Sequence, residues 1–371
     1  MISPKKKILF YNTDLRGGGA EKILVNIANE LSQRGYDITV GTFFEEGINR
    51  ADLNSAVKQF WTFRKPFRAY SKLALLFSAE FLFRKCIPNE NYDLMISFLE
   101  GFPSRVISGA PKKQKTLSWI HLELYPNTIT KEFRSRKEAL ESYESFNKII
   151  CVAESVKHHF LKCSTIEDDN VQVIYNPLEI IEIEEKALES NPFEQNNYIN
   201  IVTVGRLNPQ KSYDRLLRIV KKLKDDGLQF RLHILGTGPM ESELQRYVSS
   251  NNLQNIVTFV GFQKNPYPFI KNADLFVCSS LKEGYSTVVT ESVILETPVI
   301  TTACSGMDEI LDHGNAGIIT TNDENALYLG LKDLILHPEK LISLKEKVKE
   351  RSAFLKSRNT YDQIERLINE L

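Results

Sequence analysis

The sequence predicts an α/β protein built from two doubly wound, parallel-sheet domains. Three observations lead there. Short apolar, β-branched runs alternate with amphipathic helical stretches along most of the chain, as in a parallel sheet covered on both faces. The alternation is interrupted once, by an acidic, proline-bearing stretch, and then restarts. At 371 residues the chain is too long for one ordinary core and fits two.

In chain order, the first half offers the strand-like runs KILFYN, DITVGTF, DLMISF, KTLSWI, KIICVA and VQVIYN. Helical patterns separate several of them, such as AEKILVNIANELSQ, which Gly35 stops. Residues 179–194 hold six glutamates and one lysine, with Pro192 near the end, and read as a linker. The second half offers INIVTVG, FRLHILG, NIVTFVG, DLFVCSS, PVITT and AGIIT. The expected boundaries are a first domain over 1–190 and a second over 191–350. A charged terminal helix over 351–371 is expected to pack back on the first domain.

Composition narrows the function. Lys+Arg and Asp+Glu both number 47, so no global charge points to nucleic acid. The five cysteines, Cys86, Cys151, Cys163, Cys278 and Cys304, form no C-x-x-C pair and read as buried thiols. The opening MISPKKKILFYN lacks the apolar core of a signal peptide. No apolar run approaches the ~18 residues a membrane span needs. A cytoplasmic protein is expected.

Ligands of doubly wound sheets bind beyond the carboxyl ends of the strands, and four stretches stand there. In NTDLRGGGAEKI the glycines 17–19 open a helix, so Gly18 and Gly19 read either as a simple turn or as a phosphate cradle. In VTVGRLNPQKSYDRLL, Arg206 and Lys211 follow a strand directly and suit a diphosphate, against the alternative of a solvated basic turn. In DLFVCSSLKEGYSTVVTES, Ser286 or Thr287 caps a helix whose first amides, with that of Tyr285, face an anion. Glu283 precedes that helix and Glu291 lies inside it. A span of eight residues turns through nearly whole turns, so both carboxylates look into one cleft, though too far apart to form a dyad. Carboxylates accept hydrogen bonds from sugar hydroxyls. In LSWIHLEL, His121 ends a strand and is a candidate to touch the reacting group.

Together these residues resemble a retaining glycosyltransferase of family 4. The likeness rests on the Glu283-x7-Glu291 spacing, GRLNPQKS upstream, GGGAEKI near the start and WIH midway, with VIYNP and CSGMDEIL also typical. It covers the whole chain in order. Two places depart from the family's usual residues: Tyr285-Ser286 where Phe-Gly is common, and Ser212 where Gly is common. The resemblance implies the GT-B fold, with the donor cleft between two Rossmann-like domains. It implies that Glu291 binds ribose hydroxyls, Glu283 faces the sugar ring, and the amides of Tyr285, Ser286 and Thr287 take the diphosphate. Arg206 and Lys211 would neutralise the leaving group, Gly18 and Gly19 would close on the phosphate, and His121 would touch the donor sugar. The base would rest near Gly236, Gly238, Val260 and Phe262. No metal and no cofactor are implied. The donor is a nucleotide sugar, expected to be a UDP-hexose or UDP-N-acetylhexosamine.

The acceptor is signalled by residues 60–85. Arg64, Lys65, Arg68, Lys72, Arg84 and Lys85 face Glu80 alone, among eight aromatics. Basic residues interleaved with aromatics suit an anionic membrane surface; the alternative is a core helix over 73–83 with basic flanks. The membrane reading implies a peripheral protein on the inner face of the cell membrane, with a glycan or lipid-linked acceptor of bacterial polysaccharide synthesis. Two other classes stand beside it, a nucleotide-sugar epimerase of the same fold and a non-catalytic sugar or nucleotide binder.

Overall fold

The computed structural model describes residues 5–67, 69–193 and 198–371. The chain divides into two compact units, one of Met1–Pro177 with Asn359–Leu371, the other of Leu178–Arg358.

The first unit carries a seven-stranded parallel sheet. Its strands are β1 (Lys7–Asn12), β2 (Asp37–Phe44), β3 (Lys58–Phe63), β4 (Leu94–Ser97), β5 (Thr116–Ile120), β6 (Lys148–Cys151) and β7 (Val171–Val173), in the order β3-β2-β1-β4-β5-β6-β7. All but the edge strands are buried along nearly their whole length, as in a sheet covered on both faces. The order reverses between β1 and β4, so the loops after these strands diverge and leave a crevice at their carboxyl ends.

The second unit repeats the plan with β8 (Ile199–Val204), β9 (Phe230–Leu235), β10 (Val257–Gly261), β11 (Leu275–Cys278), β12 (Val299–Thr302) and β13 (Ile318–Thr320), ordered β10-β9-β8-β11-β12-β13, all parallel. Its core joins Ile201, Leu232, Leu275 and Ile300 of the sheet to Leu216, Leu223, Leu327 and Leu331 of the covering helices. The order reverses between β8 and β11.

Three expectations change. Residues 180–187 are a helix of the second unit rather than linker, so that unit begins at Leu178 and not at 191. Ile183 and Ala187, four apart, are buried, and the helix packs against the helices Tyr267–Asn272 and Thr287–Ile294. The second unit also runs to Arg358 rather than 350, because the helix Pro338–Lys356 lies along Thr287–Ile294. Only Asn359–Leu371 joins the first unit. There the helix Thr360–Glu370 buries Ile364, Leu367 and Ile368 and meets the helix Gly19–Gln33. Arg34 bonds Asp362 and Glu365, both at 2.7 Å.

The third change concerns residues 60–85, where Arg68 lies outside the described residues. The stretch begins in the edge strand β3, which the sequence reading had not separated from it. The 73–83 run is not one core helix. It breaks into the helices Tyr70–Ala74 and Ala79–Cys86, the second capped by Ser78, whose Oγ accepts from the amide of Phe81 at 3.3 Å. Arg105 fixes the break. Its side chain is wholly buried and donates to the carbonyls of Ala74 (2.9 Å) and Phe77 (2.6 Å) and to Glu138 (3.1 Å).

Removing Arg105 takes the side-chain donor from the carbonyls of Ala74 and Phe77, while Glu138 keeps Arg134 at 2.9 Å. Arg105→Ala should destabilise the protein by about 1–3 kcal/mol, read from the urea midpoint, and the first proteolytic nicks should fall within residues 70–86.

Candidate functional site

In the second unit the site grows from the loops after β8 and β11, the neighbouring strands at the reversal point. After β8, the Asn208 side chain accepts from the amide of Lys211 at 3.2 Å and caps the short turn Pro209–Lys211. Ser212 then takes a left-handed conformation, φ 52°, before the helix Tyr213–Asp225. This turn aims Lys211 across to the next loop, where its Nζ lies 2.6 Å from Oε1 of Glu283. Burial works against the charged lysine, but the Glu283 carboxylate more than offsets it, and the pKa of Lys211 is raised. Ser280 Oγ donates to the same Glu283 oxygen at 2.5 Å.

The loop carrying Glu283 is clamped from below. The carbonyl of Ser280 accepts from Thr302 Oγ1 (2.6 Å), Cys304 Sγ (3.3 Å) and Arg215 (3.3 Å). Arg215, itself buried, also reaches the carbonyl of Ser279 (2.5 Å) and Oδ1 of Asn322 (2.8 Å). Asn322 adds bonds to the carbonyls of Leu281 (3.0 Å) and Ala303 (3.2 Å). The sequence reading missed Arg215 and Asn322. The signal for Arg215 was its place on the apolar stripe of its helix, with Ile219 and Leu223 at four-residue steps.

Beyond Glu283, Tyr285 is buried and its hydroxyl accepts from Arg358 at 3.0 Å, which gives the tyrosine a partner that phenylalanine would lack. Ser286 is the N-cap position of the helix Thr287–Ile294. Its Oγ is buried and makes no hydrogen bond, so the helix start presents unsatisfied amides and an uncommitted hydroxyl together. Glu291 is buried in that helix, and Tyr267 donates to it at 3.3 Å. The two glutamates thus have different partners. Arg206 is exposed, and its guanidinium has no partner among the described residues.

The glycines have a structural cause of their own. A Cβ on Gly236 (φ 128°) would stand 2.0 Å from the carbonyl oxygen of Gly205, and one on Gly238 would stand 2.4 Å from that of Leu207. They let the loop after β9 lie on the loop after β8, which holds Arg206 in place. Phe262, just after β10, is exposed.

In the first unit, His121 directly follows β5. It is 6% exposed, its ring sits 4.7 Å from that of Phe98, and its Nε2 has no hydrogen-bond partner. Burial pushes its pKa down to about 3, so the imidazole is neutral. Its amide donates to Glu100 at 2.9 Å. Burial raises the pKa of Glu100, and likewise that of Glu132, which accepts from the amide of Phe102 at 2.8 Å. Neither glutamate was singled out in the sequence. Gly18 is the N-cap of the helix Gly19–Gln33, and the Glu21 carboxylate lies where a Cβ on Gly18 would stand.

Two predictions come from this geometry. The depressed His121 pKa gives stability that is fully present above the unfolded value of about 6.5 and is lost as pH falls toward the folded value of about 3. Within that window the loss is about 1.4 kcal/mol per pH unit, and His121→Gln should remove it, read by comparing urea midpoints of the two proteins at neutral and acid pH. Ser212, at φ 52°, carries a Cβ in a region that costs it about 1 kcal/mol. Ser212→Gly should therefore raise stability by about that amount, measured by the same unfolding curves.

Known proteins fit this arrangement. The family model described as Glycosyltransferase Family 4 matches residues 17–180, and that described as Glycosyl transferases group 1 matches residues 184–351. A Campylobacter jejuni protein named N-acetylgalactosamine-N,N'-diacetylbacillosaminyl-diphospho-undecaprenol 4-alpha-N-acetylgalactosaminyltransferase is 30% identical over 207 residues, 55% of each chain. The chain thus spans about half the length of that relative. An uncharacterized glycosyltransferase of Haemophilus influenzae is 23% identical over 92% of this chain and 94% of its own. The crystal structure of Anabaena HepE with UDP and glucose superposes with a TM-score of 0.77 at 19% identity, covering 99% of this chain and 100% of that one, which shows a shared fold. Two parallel α/β units, matched in order by the Glycosyltransferase Family 4 and Glycosyl transferases group 1 models, identify the two halves of the chain as domains of these glycosyltransferase families, on the GT-B fold.

Proposed function

We propose that the protein is a retaining glycosyltransferase that moves a sugar from a nucleotide sugar, a UDP-hexose or UDP-N-acetylhexosamine, to a glycan or lipid-linked acceptor in bacterial polysaccharide synthesis. The observation that carries the reading is the part-buried Lys211–Glu283 ion pair at the reversal point of the second sheet. It stands three residues before a helix start with an uncommitted hydroxyl. A fixed cation next to unsatisfied amides suits a diphosphate whose charge grows as it leaves.

In this reading the amides of Tyr285, Ser286 and Thr287, with Ser286 Oγ, take the diphosphate. Lys211 and the unpartnered Arg206 stabilise it as it departs. Glu283 orders Lys211 and faces the sugar ring; Glu291 accepts from the ribose hydroxyls. The base rests against Phe262, near Val260, on the loops that Gly236 and Gly238 pack together. Gly18 and Gly19 are assigned a phosphate contact, for which the Glu21 carboxylate swings aside, and His121 a contact to the donor sugar, made by its neutral imidazole. The acceptor hydroxyl attacks the anomeric carbon on the face the diphosphate leaves. The bond from that carbon to the phosphate oxygen breaks, and the departing oxygen takes the hydroxyl proton, so no enzyme nucleophile, metal or cofactor is required. HepE bound UDP and glucose, and the Campylobacter relative is named for a diphospho-undecaprenol acceptor; both support the choice of donor and acceptor.

Attachment to the inner face of the cell membrane is part of the proposal. No described helix is long and apolar enough to cross a membrane, while Arg64, Lys65, Lys72, Arg84 and Lys85 are exposed on the first unit.

UDP or a UDP-sugar should stabilise the pure protein without added metal, by about 2.7 kcal/mol at 100 times its dissociation constant. Lys211→Ala and Arg206→Ala should cut kcat by about 10² or more. Glu283→Ala should act mainly on kcat, and Glu291→Ala mainly on donor affinity. If no nucleoside diphosphate moves the melting temperature at millimolar levels, the donor site is misassigned. Turnover of a sugar nucleotide without an acceptor, giving an epimer, would favour the epimerase instead.

A further inference from the structure

The two short helices Tyr70–Ala74 and Ala79–Cys86 expose what proteins ordinarily bury. Leu76 is 74% exposed, Leu73 49%, and Phe77 and Phe81 42% each. The two phenylalanine rings stack on each other, centroids 4.7 Å apart and planes within 14°. Surface apolar residues scattered singly need no explanation, but a contiguous group does.

This group is not a loose loop. Arg105, with no exposed side-chain surface, holds the carbonyls of Ala74 and Phe77 from within. Ser78 caps the second helix. Gly109 lies so close beneath that a Cβ there would meet the carbonyl oxygen of Ala79 at 2.1 Å. The turn that lifts Leu76 and Phe77 outward is fixed by buried polar bonds and a backbone-to-backbone contact. Side chains held this way lose little freedom when they enter a partner.

The surrounding charge says what the partner is. The exposed ionic groups of the pair of helices are Lys72, Arg84 and Lys85, against Glu80 alone. The Lys85 ammonium stands 5.8 Å from the centre of the Phe81 ring, so cation and apolar group share one face. An anionic bilayer offers hydrocarbon and negative headgroups in that arrangement at every point of its plane.

We infer that this hairpin is a preformed membrane wedge. Leu76, Phe77 and Phe81 enter the interfacial layer of an anionic bilayer, Lys72, Arg84 and Lys85 meet its headgroups, and Arg105 is the strut that holds the wedge open. The inference rests on the membrane attachment proposed above and goes beyond it: that proposal needs only charge, whereas the wedge requires apolar insertion.

The test is sedimentation with vesicles of equal parts phosphatidylglycerol and phosphatidylcholine at physiological salt. The variant Leu76→Ser/Phe77→Ser/Phe81→Ser, changed only at exposed positions, should lose at least about a hundredfold in partitioning while its melting temperature still rises with UDP as in the parent. In a second measurement, Leu76→Trp should shift its emission to shorter wavelength on adding these vesicles, and Leu188→Trp, exposed on the other unit, should not. If the triple variant sediments like the parent, the wedge is wrong and charge alone carries attachment. If the parent stays in the supernatant even at low salt, membrane attachment itself fails and takes the wedge with it. If the triple change instead converts a parent dimer to a monomer in solution, the apolar face belongs to a second copy of the chain.

Discussion

A half-buried ammonium against a buried carboxylate fixes the second unit. Lys211 and Glu283 come from loops 72 residues apart in sequence, and neither charge is tolerable inside the protein without the other, since the uncompensated cost is several kcal/mol per ion. Their contact therefore ties the turn after β8 to the turn after β11. The rest of the local structure serves that tie: Asn208 shapes the turn that delivers the lysine, Ser280 takes part of the carboxylate, and Arg215 with Asn322 holds the backbone beneath. A charge arriving at such a point meets partners already oriented, which is the condition for electrostatic stabilisation in a water-poor site.

The first unit has the opposite electrostatics. Its strand ends bring together a neutral His121 and the half-buried carboxylates Glu100 and Glu132, whose pKa values desolvation raises. The carboxylates are held by backbone amides, not cations, at His121 and Phe102.

Much of this was legible in the sequence, for a physical reason. Strands buried on both faces must be apolar throughout, so KILFYN or DLFVCSS announce themselves, and twelve of the thirteen strands were read as such runs. The exception, β3, is an edge strand with exposed alternate residues, and its lysine and aromatics blended into the basic stretch that follows. The helix Ile180–Ala187 was hidden for a related reason. Its glutamates face water and dominate the composition, while the few residues that dock it, Ile183 and Ala187, are too sparse to stand out. The places of Arg206, Lys211 and Glu283 in loops after strands, and of Glu291 in the next helix, were legible, but the bond between Lys211 and Glu283 was not, because pairing across 72 residues is a property of the sheet order. Arg215 was overlooked because an arginine in a helix ordinarily points to solvent.

The return of Asn359–Leu371 to the first unit has a consequence for how the protein is made. The first unit is made of two segments, Met1–Pro177 and Asn359–Leu371, and the second is inserted between them. During synthesis the helix Gly19–Gln33 emerges early, but Ile364, Leu367 and Ile368, which complete the packing of the first unit beside it, arrive only after the whole second unit has left the ribosome. Counted from the end of the first unit's main segment at Pro177, that wait is roughly ten to forty seconds at about 5–20 residues per second. The nascent first unit spends it with an apolar surface open and Arg34 without the carboxylates of Asp362 and Glu365. The second unit, continuous in sequence, has no such wait, and so the later-made half is the one able to mature first.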